Sequence, residues 1–72
     1  MAYMPRVLLR LNGELREVPD GTTVAGLLAQ LGVKPARVAV VVNEAVVTHD
    51  LYAEHRILPG DSVEIVAVMA GA

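Results

Sequence analysis

The chain has 72 residues, 54% of them hydrophobic, with a formal net charge of −2. It contains no cysteine, which excludes a disulfide framework, a thiolate nucleophile and thiolate-bound zinc or iron–sulfur centres. Six scattered basic residues and two tyrosines as the only aromatic side chains leave no platform for nucleic acid, and no apolar run approaches the length of a membrane span. A domain this small buries only about 60% of the surface its unfolded chain exposes, so a dense core is required. The apolar set that must build it is mostly valine (13), alanine (10) and leucine (9), small and branched side chains that suit a pleated sheet. A cytoplasmic, single-domain binding or carrier module fits this composition better than a self-sufficient enzyme.

Arg6 to Leu11 alternates, with Val7, Leu9 and Leu11 pointing one way, and predicts a half-buried strand. Asn12-Gly13 is a strong hairpin signal. Glu14 to Val18 returns as a second strand. A two-residue turn would pair Leu11 with Glu14 and leave Leu15 off the core face. A glycine bulge would bring Leu15 into the core, and that register is expected. Pro19-Asp20-Gly21 turns the chain, and Thr22 or Thr23 can cap a helix in which Val24, Leu27, Leu28 and Leu31 form one apolar stripe. Gly32 is placed for a left-handed C-cap, and Gly26 lies inside the helix as a candidate for a close backbone approach.

Val38 to Val42 is apolar on both faces and predicts an interior strand. Asn43-Glu44 turns the chain into a short strand at Ala45 to Val47. Thr48 to Arg56 is polar and aperiodic, with room for one helical turn at Leu51 to Glu54, and Ile57-Leu58 re-enters the core. Pro59-Gly60 is a turn pair. Ser62 to Val68 alternates as the last strand, and residues 69–72 are expected to form a flexible tail. One helix on one face of a mixed sheet of four to five strands is an α+β arrangement, with the first and last strands as the natural central pair. It is the β-grasp, or ubiquitin-like, architecture, across a single domain of residues 1–72.

Some residues also invite chemical readings. His49, Asp50, Glu54 and His55 match no metal-ligand spacing and read as loop residues. Gly60-Asp61 opens no helix, so it reads as a turn rather than a phosphate cradle. Asn43-Glu44 simply joins two strands. No catalytic residue and no metal site is assigned. Leu8, Val66, Val68, Met69 and Ala70 are the candidates for a docking patch on the sheet face away from the helix.

Four stretches in order carry a family pattern: Leu11-Asn12-Gly13-Glu14, Thr23 to Gly32, Val38 to Glu44, and Leu58 to Val66. The chain resembles the ThiS/MoaD sulfur-carrier proteins, on the ThiS side, over about Val7 to Gly71. The resemblance implies a carrier that holds sulfur as a thiocarboxylate on its C-terminal residue. It implies activation by a ThiF-like adenylyltransferase using ATP, sulfur from a cysteine desulfurase or a rhodanese-like donor, and delivery to a ThiG-like thiazole synthase. No cofactor would be bound by the domain itself. The family ends in Gly-Gly, whereas this sequence ends in Gly71-Ala72. Four readings of Ala72 stand: it is tolerated as the acyl terminus, trimmed to leave Gly71, a deliberate substitution, or the mark of a lost carrier role. A carrier for molybdopterin, cysteine or tRNA thiolation, and a non-catalytic ubiquitin-like interaction module, are the alternative functions.

Overall fold

A computed structural model describes residues 5–68. The strands are β1 (Arg6–Leu11), β2 (Glu14–Pro19), β3 (Val38–Val42), β4 (Ala45–Val47) and β5 (Ser62–Ala67), with one α-helix, α1 (Val24–Leu31). They form one five-stranded sheet in the order β2-β1-β5-β3-β4. β5 runs parallel to β1 and antiparallel to β3, which makes the sheet mixed. The first and last strands are neighbours, as the sequence predicts, with β5 at the centre of the sheet.

The core lies between α1 and one face of the sheet. Val7 and Leu9 of β1, Val18 of β2, Val24, Leu27 and Leu28 of α1, Val38, Val40 and Val42 of β3, and Val63 of β5 are all buried there. The strand alternation and the helical stripe therefore converge on one side of the sheet. Tyr52 and Ile57 close the core from the long loop between β4 and β5, while Leu58 beside them is exposed, contrary to the expectation that both enter it. A 3₁₀ turn at His49–Leu51 leads into the expected turn, where the Leu51 carbonyl accepts from the Glu54 and His55 N–H groups at 3.0 and 2.9 Å.

Thr23 is the N-cap of α1, its hydroxyl accepting from the Gly26 N–H at 3.1 Å. The Val24 and Ala25 N–H groups donate to the carbonyls of His55 and Tyr52, at 2.9 Å each. The first-turn donors of the helix are thus satisfied by the protein itself. Gly32, at φ 71°, ends the helix in the left-handed conformation that glycine adopts without a Cβ penalty. A Cβ on Gly26 would meet nothing closer than 3.5 Å, so this glycine marks no close backbone approach.

The first hairpin corrects the predicted bulge. Leu11 pairs directly with Glu14, a two-residue connection, and Leu15 is 63% exposed. Asn12 and Gly13 both have positive φ, 50° and 85°, as a type I′ turn requires. That twist matches the flanking strands, so the turn chemistry sets the register and outweighs the gain from burying one leucine. Among the described residues, no helix is long and apolar enough to cross a membrane.

Candidate functional site

β5 carries the chain towards its final residues, and both hairpins grip it through an asparagine. In the β1–β2 turn, the Asn12 N–H donates to the Val63 carbonyl at 2.9 Å, and the Asn12 Oδ1 accepts from the Ile65 N–H at 2.9 Å. One side chain thus extends the parallel ladder by a step after β1 has turned away. In the β3–β4 turn, the Asn43 Oδ1 accepts from the Ser62 N–H at 2.9 Å, and its Nδ2 donates to the Asp61 Oδ1 at 2.9 Å. The other oxygen of Asp61 accepts from the Leu58 N–H at 2.9 Å, and its carbonyl accepts from the Arg10 N–H at 2.9 Å. Among the described residues Asp61 is the one buried charged residue, 8% exposed, and each carboxylate oxygen has a donor. Gly60-Asp61 therefore has a structural task, as the sequence suggests. The last described anchor of β5 is the Val68 N–H, which donates to the Arg37 carbonyl at 2.8 Å.

The docking candidates divide. Val66 and Val68 are 52% and 51% exposed and lie on the sheet face away from α1. Val66 sits opposite Ala39, while Val41, two residues along β3, sits between the exposed Val46 and the exposed Glu64, so these five apolar residues form one area bordered by a carboxylate. Leu8 is on the same face and 48% exposed, but the parallel register sets it level with Gly60, six residues before Val66 along β5. That is roughly 20 Å at the rise of a strand, so Leu8 is not part of that area. Met69, Ala70, Gly71 and Ala72 lie outside the described residues. Ala39, Val41 and Val46 escaped the sequence reading as docking candidates, although the two-sided apolar pattern of Val38 to Val42 already puts apolar side chains on the helix-free face.

The loop residues His49, Asp50, Glu54 and His55 make no metal site, and no group of three potential ligands converges among the described residues. His49 instead packs edge-on against Tyr52, with ring centroids 5.0 Å apart, and its Nε2 lies 3.2 Å from the Val38 carbonyl. The Tyr52 hydroxyl donates to the same carbonyl at 3.4 Å.

The features that converge on one end of this molecule are therefore a projecting strand and an apolar surface beside it, without a reactive cluster. The model of the ThiS family matches residues 9–71. This chain belongs to the ThiS family. The crystal structure of the thiamine biosynthesis protein ThiS from Geobacter metallireducens superposes with a TM-score of 0.80 at 28% identity, covering 92% of this chain and all of that one. That agreement establishes the β-grasp fold. Thiazole synthases from Magnetococcus marinus and Paramagnetospirillum magneticum are 40% and 41% identical over 63 residues, which is 88% of this chain and 19% of each of those proteins. The chain thus spans about a fifth of the length of those relatives.

Proposed function

We propose that this ThiS-family chain carries sulfur for the formation of the thiazole ring of thiamine, as a thiocarboxylate on the carboxyl group that follows Gly71. A free carboxylate is a poor acyl donor. A ThiF-like adenylyltransferase joins it to the AMP portion of ATP, releasing pyrophosphate and creating a good leaving group. A persulfide from a cysteine desulfurase or a rhodanese-like donor attacks the carbonyl carbon, and AMP departs. Thiol cleavage of the resulting acyl disulfide frees the thiocarboxylate for a ThiG-like thiazole synthase. The catalytic groups belong to the partners. This chain supplies a rigid body and an unhindered end, since glycine adds no side chain and reaches backbone angles closed to other residues.

The observation that supports this reading is the match to the ThiS family over residues 9–71. The two thiazole synthases in which a similar stretch occupies a fifth of the length favour that synthase as the recipient, over a molybdopterin or tRNA pathway. Ala72 adds one methyl group. In a close-fitted channel such an excess costs about 1–3 kcal/mol, so a terminal Ala72 transfers sulfur roughly tenfold to a hundredfold more slowly than a terminal glycine.

Intact-mass spectrometry after incubation with the adenylyltransferase, ATP and a sulfur donor tests the reading. The expected result is an ATP-dependent exchange of one oxygen for sulfur, on a species ending at Ala72 or at Gly71. Neither adenylate nor thiocarboxylate on either species refutes it. A thiocarboxylate that a molybdopterin synthase consumes and a thiazole synthase does not would reassign the pathway.

A further inference from the structure

Several stretches of strand edge lack a neighbouring strand among the described residues, among them the outer edges of β2 and β4 and the far end of β5. The outer edge of β2 carries Glu14, Arg16, Glu17 and Pro19, and the outer edge of β4 is three residues long. Charge, proline and short length are ordinary means of discouraging strand addition. The third stretch lies inside the sheet; it is as short as β4 but carries neither charge nor proline. β1 ends at Leu11, level with Val63, whereas β5 continues to Ala67. The Asn43 N–H bonds the Ser62 carbonyl and the Val68 N–H bonds the Arg37 carbonyl, so the even-numbered residues of β5 face β3 and the odd-numbered ones face the side of β1. There, Asn12 takes the Ile65 N–H. Beyond that bond, the Ile65 carbonyl and the Ala67 N–H and carbonyl point to the side that β1 has left open.

We propose that this overhanging edge of β5 is a strand-addition site, and that its occupant is an extended backbone segment of the thiazole synthase that receives the tail. The inference rests on the synthase being the recipient, as argued above. Continuity favours this occupant: the strand that offers the edge is the strand that becomes the tail, and Ala67 stands five residues before Ala72. Five extended residues reach about 17 Å, so a protein that holds Ala72 must lie close alongside residues 65–68. Residues 65–68 carry no charge, and the exposed Val66 and Val68 give an incoming strand apolar surface to cover. Main-chain pairing has direction and register, and it would present the acyl end at a fixed distance from the edge.

Ala67→Pro removes the N–H that faces the open side and leaves the β3 ladder intact, because proline is tolerated where its nitrogen faces no partner. Ala67→Val keeps that N–H and serves as the side-chain control. Binding of the full chain to its cognate thiazole synthase is measured for all three proteins, together with hydrogen exchange of the Ala67 amide in the unaltered chain, free and bound. The expected result is a roughly tenfold loss of affinity for Ala67→Pro, less than about twofold for Ala67→Val, and slowed exchange at Ala67 only in the complex. Equal affinity of wild type and Ala67→Pro, equal losses for both variants, or an Ala67 amide that exchanges as fast bound as free overturns the strand-addition site while the synthase remains the partner. A wild-type chain that does not bind the synthase at all overturns the partner assignment, and this inference with it.

Discussion

The two hairpins solve the same problem with different chemistry. Each turns in two residues, both with positive φ, and each begins with an asparagine whose side chain reaches β5. The first follows Asn12 with glycine, which takes φ 85° without strain, while the second follows Asn43 with Glu44 at φ 69°, where a Cβ is unfavourable. Asn12 gives β5 one side-chain bond at Ile65, whereas Asn43 is tied into a buried carboxylate with a donor on each oxygen. The difference teaches that the two ends of β5 are held unequally. Its start is fixed by a network shared among the β3–β4 turn, the Leu58-to-Asp61 turn and β1, and its far end, towards the tail, is held by β3 and one amide.

The largest test of this contrast is Asp61→Ala. It leaves the Leu58 N–H and the Asn43 carboxamide without their acceptors, and is expected to cost about 2–3 kcal/mol in urea unfolding. Asn43→Gly keeps the turn geometry and removes two hydrogen bonds, for about 1–2 kcal/mol, whereas Asn12→Gly removes one exposed bond, for about 0.5–1 kcal/mol. Equal costs for the two glycine variants would break the comparison. Amide exchange sharpens it, since Asn12→Gly should accelerate Ile65 and leave Ser62 unchanged. Glu44→Gly relieves the left-handed strain and should stabilise by about 0.5 kcal/mol, read as a thermal midpoint raised by a few degrees. Leu15→Thr should change stability by less than about 0.5 kcal/mol, because Leu15 is exposed in the two-residue register. A cost above 1 kcal/mol would revive the bulged register.

The core was legible before any coordinates because its signals agree. The alternation of Val7 and Leu9, the stripe of Val24, Leu27 and Leu28, and the two-sided apolar run of β3 all have a single compatible packing. Leu15 misled because hydrophobicity was weighed above turn geometry. Leu58 misled because an apolar residue beside a buried one need not share its direction. Of the docking candidates, Val66 and Val68 share one area, while Leu8 is separated from it by register, a quantity that no single strand contains. The asparagine bridges were illegible for the same reason, since Asn12 and Ile65 are 53 positions apart.

The amino-acid sequence by itself determined the element order, the helix and its C-cap, the core face of β1, β5 and the helix, and the family, because these follow from local periodicity, turn chemistry and motif order. Only the tertiary structure decided how β5 sits between β1 and β3, how far it overhangs Asn12, and that Asp61 is the buried acceptor at its root. Those features depend on the alignment of distant segments, which packing sets and local sequence does not.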